Sequence, residues 1–141
     1  MNNNLPTKEL IIAIVERDDA VLMRQKPEGS SPYKETWYSF GCDRIPNQDD
    51  RTNIKNYLKD TIGIDVEVDS QSITPAFEIK EDHDGVEKNF IYINLICKYL
   101  SGTPKVPQGA TRVEWIPKDK LSEYDIVPPS VKLLKDLGYK I

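Results

Sequence analysis

A chain of 141 residues has the size of one ordinary domain, large enough to bury a continuous core without disulfides or a structural metal. Its 38% hydrophobic and 30% charged residues are globular in proportion, and the longest apolar run, Leu10 to Val15, is too short to cross a bilayer, so no membrane association is expected. A formal net charge of −4 argues against a nucleic-acid groove, which normally carries an electropositive face.

The start of the chain, MNNNLPTKEL, has neither the basic nor the apolar segment of a secretory signal, so the expected address is the cytoplasm. Glu9 to Glu16 is isoleucine-rich and predicts a strand buried on both faces. Asp18-Asp19 makes a turn into a second strand, Ala20 to Gln25. The following KPEGSSPYKE is a loop of the kind that borders sites, and Trp37 to Phe40 is a short extended piece. Residues 41–49 are expected to form a loop that starts at a glycine. Ile54, Tyr57, Leu58 and Ile62 then recur at helical spacing, with Asp49 or Asp50 as cap and Gly63 as stop, which predicts the main helix at about 50–62. Ile64 to Val68 alternates as a strand. Ile73 to Glu81 and Lys88 to Leu100 flank an Asp84-Gly85 turn and pair as a hairpin, the second arm near the sheet centre. Val113 to Ile116 is a last strand, Pro117 to Tyr124 a short helical turn, and about 129–137 a closing helix with proline in its first turn. The order predicts an α/β (α+β) fold with a mixed sheet between helices, a single domain over residues 1–141.

The sequence of strand, loop, W-x-x-x-G, acid-flanked helix closing in G-I, hairpin and a late E-W-I-P resembles the Nudix hydrolase family, MutT-like proteins, over nearly the full length. The resemblance implies an α/β/α sandwich. It also implies cleavage of nucleoside diphosphates linked to another moiety, with magnesium or manganese bound by the signature G-x5-E-x7-R-E-U-x-E-E-x-G-U. With Gly63-Ile64 setting the register, Trp37, Gly41, Leu58, Gly63 and Ile64 stand at scaffold positions. The acidic positions do not match: Gln48 stands for the first glutamate, Asn56-Tyr57 for arginine-glutamate, and Asp60-Thr61 for the paired glutamates. The box is degenerate, and no catalytic residue set is expected intact.

Magnesium is a hard ion that prefers several carboxylate oxygens, and one aspartate is a poor cage. On a regular helical wheel Ile54, Leu58 and Thr61 share one face, and Asn53, Asn56 and Asp60 the other, with Tyr57 on the border. Asp60 is read either as a residual metal ligand or, more simply, as a solvated side chain, and Tyr57 either as a base-stacking ring or as an edge of the core. Arg24 resembles the basic residue that in some family members reaches the nucleotide, with a surface arginine as the plain alternative. Asp43 and Arg44 follow Gly41 and are candidates for the same cleft, as are Trp37 and Gly41 themselves. Cys42 has no histidine nearby in sequence to activate it and reads as a small packed residue. Two cysteines without a CxxC pair and a lone His83 speak against zinc. Glu78, Glu81, Asp82, Asp84 and Glu87 crowd the hairpin, either as substitute metal ligands or as a solvated tip. Two functions follow: a module binding a nucleotide-like small molecule or a protein partner without metal, or an active hydrolase that needs magnesium or manganese held by acids outside the helix.

Overall fold

A computed structural model describes residues 4–30, 32–69 and 73–141. Ser31, inside the predicted site-bordering loop, and the first three residues of the N-terminal stretch lie outside the described residues. Two long strands form the spine. β1 (Thr7–Arg17) and β7 (Glu87–Ser101) run parallel in unbroken register from Thr7 opposite Asn89 to Glu16 opposite Lys98. Ile11, Ala13, Ile14 and Val15 are fully buried because β1 is covered on both faces, as its apolar run requires.

Each spine strand shares its outer edge between two partners. β4 (Phe40–Asp43) takes residues 10–13 of β1, and β2 (Ala20–Gln25) takes residues 15–17. Along β7, β6 (Ile73–Glu81) pairs with the first half and β5 (Asp65–Val68) with the second. β2 also pairs with β3 (Trp37–Tyr38) and with β8 (Arg112–Pro117), completing a mixed eight-stranded sheet. The expected WYSF piece is thus two strands divided at Ser39, and Gly41 to Asp43 are strand rather than loop. The free edge of β1 accounts for this, since its backbone groups at 10–13 need partners.

Helices cover the sheet on both sides, as an α/β/α sandwich requires. On one face α1 (Asp50–Tyr57) and the turn that continues it, Leu58–Ile62, bury Ile54, Leu58 and Ile62 against Ile11, Ala13, Leu22, Phe40 and Val66. On the other, α2 (Pro128–Asp136) and the 3-10 turn Lys118–Glu123 bury Leu133, Leu134 and Leu121 against Ile14, Val21, Met23 and Ile116. Asp49 caps α1 by accepting from the Thr52 N–H at 3.1 Å. Among the described residues no helix is long and apolar enough to cross a membrane.

The main helix spans the expected residues but winds wider at its end. Residues 58–62 form a π turn, so Ile62 rather than Thr61 follows Leu58 into the core, and Thr61 is exposed. The wheel also misplaced Asn53, which is buried and donates from Nδ2 to the Asp43 carbonyl at 3.2 Å. Gly63 ends the turn in the left-handed region at φ 83°, its N–H donating to Leu58 and Lys59 carbonyls. The segment after β7 folds over this end: Lys105 N–H donates to the Ile62 carbonyl at 2.7 Å. Gly102 sits so close that a Cβ there would lie 2.3 Å from the Gly63 carbonyl oxygen.

The hairpin tip is an ion-pair cluster. Asp82 accepts from Lys88 Nζ at 2.8 Å and from Lys8 Nζ at 3.2 Å, and Asp84 accepts from Lys88 at 2.9 Å. The hydrogen bonds from Lys88 and the His83 N–H, with that from Lys8, hold the Asp82 carboxyl well below its ordinary value of 3.8.

Two outcomes are expected. Gly63→Ala costs about 1 kcal/mol in denaturant unfolding because φ is positive, and Gly102→Ala costs more, about 2–4 kcal/mol, because backbone must move; equal or reversed losses would refute the close packing. A carboxyl depressed in the folded state stabilises above its unfolded value and loses that contribution as pH falls. The melting-temperature gap between wild type and Asp82→Asn should therefore be constant at neutral pH and shrink on acidification below 3.8. A gap that persists unchanged to the acid limit of folding would count against the ion-pair cluster.

Candidate functional site

Strand periodicity decides what the spine offers to solvent. In β1 Lys8, Leu10 and Ile12 point away from α1, and the parallel register sets them beside Phe90, Tyr92 and Asn94 of β7. Ala76, Glu78 and Lys80 of β6 extend the same surface. The loop between β2 and β3 and the start of α2 rise at its edges, enclosing a cleft of about 900 Å³. Its floor is apolar and aromatic, with Phe90 and Tyr92 stacked at 6.2 Å and 16°, and with the buried Asn94 amide beside Ile12.

The cleft is basic on one side. Arg24, opposite Tyr38 in the β2–β3 ladder, donates from Nε to the Ser39 carbonyl at 3.2 Å. Lys26 is tied at the loop base by its N–H to the Thr36 carbonyl at 2.8 Å, with Nζ 4.3 Å from the Tyr38 ring centroid. Lys80 Nζ donates to Tyr33 Oη at 2.9 Å and lies 4.6 Å from the Phe90 ring. Burial, the largest cause for all three, pushes these cations below their ordinary values; for Lys26 the charges of Arg24 and Lys80 add to it. Glu78 accepts from Tyr92 at 2.7 Å and from Tyr33 at 3.2 Å, and burial followed by contact with Glu78 raises both phenols.

Of the residues singled out from sequence, Arg24, Gly41, the hairpin acids Glu78, Glu81 and Asp82, and His83 line this cleft, whereas Trp37, Asp43, Arg44, Tyr57 and Asp60 do not. Gly41 is needed there by packing, since a Cβ would come within 2.9 Å of Ile12 Cδ1. Trp37 is buried on the α2 side, edge-to-face with Tyr124 at 5.2 Å. Asp43 is exposed at the end of β4. Arg44 is occupied as a clamp, donating at 2.9 Å to Glu9 and to Asp50, so it ties β1 to α1. Tyr57 packs partly into the α1 core, within electrostatic reach of Arg24. Burial raises the Cys42 thiol to about 11, so it is protonated at neutral pH, in keeping with a packed residue.

Lys26, Tyr33, Tyr38, Lys80, Phe90, Tyr92 and Asn94 were not singled out from sequence. The period-two pattern Ala76-Glu78-Lys80 and Phe90-Tyr92-Asn94 was the available signal.

The donor set does not fit a family-type metal centre. Asp60 is exposed on the π turn, and among the described residues no three His, Cys, Asp or Glu side chains gather where they could share an ion. At the position of the first signature glutamate, Gln48 has a buried Oε1 without a hydrogen-bond partner. Three of the five hairpin acids are already engaged, Asp82 and Asp84 by lysines and Glu78 by tyrosines and Lys80, while Glu81 lines the cleft.

No protein-family model and no curated protein sequence matches the chain. Solved structures do match its fold. The E. coli ORF135 protein superposes with a TM-score of 0.71 at 20% identity, over 96% of this chain and 91% of that one. A NUDIX hydrolase from Nitrosomonas europaea gives 0.69 at 14%, over 94% and 88%. The NUDIX domain of Shewanella oneidensis NrtR, solved as a complex with ADP ribose, gives 0.65 at 10%, over 93% and 84%. Likeness of this extent at such low identity is a likeness of fold, and the chain has the α+β fold of the Nudix hydrolases.

Proposed function

We propose that the protein is a metal-independent binding module of Nudix fold, whose cleft takes a nucleotide-like ligand and does not hydrolyse it by the family route. One observation carries the reading: basic and aromatic groups line the cleft, while the helix that should supply carboxylates presents Asn56, Tyr57, Asp60 and Thr61. Phosphoryl chemistry needs charge neutralisation and an activated water, which the family obtains from metals. Here Arg24, Lys26 and Lys80 supply positive charge, and no three acids among the described residues of the cleft gather to hold the metal that would activate a water, so a phosphorylated ligand is held rather than cleaved by the family route. The stacked Phe90 and Tyr92 offer a flat ring an aromatic surface in the cavity that also holds the cations, so stacking and charge act together. The NrtR domain, solved with ADP ribose, is a precedent for a nucleotide-like ligand on this fold. The proposed setting is a single cytoplasmic domain; a protein segment in the same cleft is the competing occupant.

The second reading, an active magnesium- or manganese-dependent hydrolase, requires Glu78, Asp82 or Asp84 to leave its lysine and tyrosine partners and join Glu81 or Glu87 around an ion. Calorimetry in chelator against ADP-ribose and nucleoside diphosphates should give saturable binding, unchanged on adding magnesium, and the same ligands should survive incubation with millimolar magnesium or manganese. Turnover at ordinary enzyme rates of about 1–10³ per second would overturn the reading, and so would binding that appears only with metal. Asp60→Ala should leave both affinity and melting temperature unchanged, whereas a metal ligand would not.

A further inference from the structure

Ion-pair accounting exposes an imbalance at one end of the cleft. Most lysines near it have acidic partners: Lys8 and Lys88 share Asp82, Lys80 has Glu78 at 3.5 Å, and Lys132 has Asp136 at 3.2 Å. Arg24 and Lys26 have none among the described residues, although both are partly buried. Glu35 acts electrostatically on Tyr38 but forms no ion pair with either cation. Desolvated positive charge without a counter-ion is costly, so a protein that keeps two such groups together has a use for an anion between them.

A second, independent observation lies at the same place. Tyr38 is 8% exposed, lines the cleft, and its buried Oη has no hydrogen-bond partner. An unsatisfied buried hydroxyl is uncommon, and it marks a missing ligand or ion. Lys26 Nζ is 4.3 Å and Arg24 Cζ 5.6 Å from the centroid of this same ring, and the Tyr33 ring, which Lys80 approaches, is 6.2 Å away. Arg24 is pre-set for such a ligand, because its Nε bond to Ser39 fixes the plane of the guanidinium and leaves the two Nη groups for an acceptor.

We infer that Arg24, Lys26 and the Tyr38 hydroxyl form an anion subsite for a phosphate or pyrophosphate group, beside Tyr33 and independent of any metal. A tetrahedral oxyanion suits it better than a carboxylate, since a guanidinium fork, an ammonium and a phenol approach from different directions and need three acceptor oxygens. The subsite rests on the proposed ligand-binding role of the cleft and refines it. The charge-neutralising end of the cavity lies at the β2–β3 ladder, and Asp60 does not line that cavity.

The probe is inorganic pyrophosphate, titrated calorimetrically into the full chain in chelator at low and high salt. Wild type should bind, and more weakly at high salt. Lys26→Gln should weaken binding roughly tenfold and reduce the salt dependence, and Tyr38→Phe should weaken it several-fold. Tyr38→Phe should at the same time leave the melting temperature of the ligand-free protein equal or raised, because it removes an unsatisfied hydroxyl. No pyrophosphate binding at millimolar concentration, or wild-type affinity in both variants, overturns the subsite. If nucleoside diphosphates bind wild type and Lys26→Gln equally, the subsite fails while the nucleotide reading stands. If pyrophosphate binds through Lys26 and a nucleoside adds no affinity, the subsite stands and the nucleotide reading fails.

Discussion

The parallel pairing of β1 with β7 is the constraint on which everything else hangs. Ten consecutive residue pairs, from Thr7 with Asn89 to Glu16 with Lys98, hold the two longest strands in one register. Side chains alternate between faces, so this register simultaneously sends Ile11, Ala13, Leu95 and Cys97 toward the helix side and Lys8, Leu10, Phe90 and Tyr92 toward the cleft. A slip of one residue would exchange a dry core for a basic surface, and the burial of the core face forbids it. Because the spine edges are each divided between two partners, β4 and β6 flank the same half of the spine on opposite edges, and residues of all four strands line the cleft.

The shape of α1 is independent of the chemistry of its outer side. Asp49 caps it, Gly63 stops it, and Ile54, Leu58 and Ile62 bury its inner side, all independent of what the outer side displays. Packing therefore tolerates the amides and the phenol that replace carboxylates. The surrounding charges are used structurally: Arg44 clamps Glu9 to Asp50, and Lys88 organises the hairpin tip. Exposed pairs of this kind contribute little stability each, so Arg44 orients the loop more than it stabilises the fold.

The costs of the fold gather in the cleft rather than along α1. There the costly features accumulate: partly buried cations without acids, an unpaired phenol, and a buried amide over an aromatic floor. Each lowers the stability of the free protein, and together they are the ground for the proposed anionic ligand.

Local signals in the sequence determined the elements. The hairpin turn at Asp84-Gly85, the helix between Asp49 and Gly63, and the doubly buried β1 are written in short-range patterns of cap, glycine and apolar period, and each forms where expected. The residue types at the expected metal positions, Gln48, Asn56, Tyr57 and Thr61, are likewise plain in the sequence, because ligand chemistry depends on residue type. Three things were not. The strand at Gly41 to Asp43 exists because β1 has a free edge, the wider winding at 58–62 leaves Thr61 exposed while Ile62 keeps its expected place in the core, and the cleft draws Arg24, Lys26, Tyr38, Lys80 and Phe90 from four strands and a loop. Trp37 and Arg44, plausible as site residues from their neighbours in sequence, turned into a core side chain and a clamp. Sequence spacing carries the information for contacts within one element. Which charges lack a counter-ion is a sum over elements far apart in the chain, and only the folded sheet performs it.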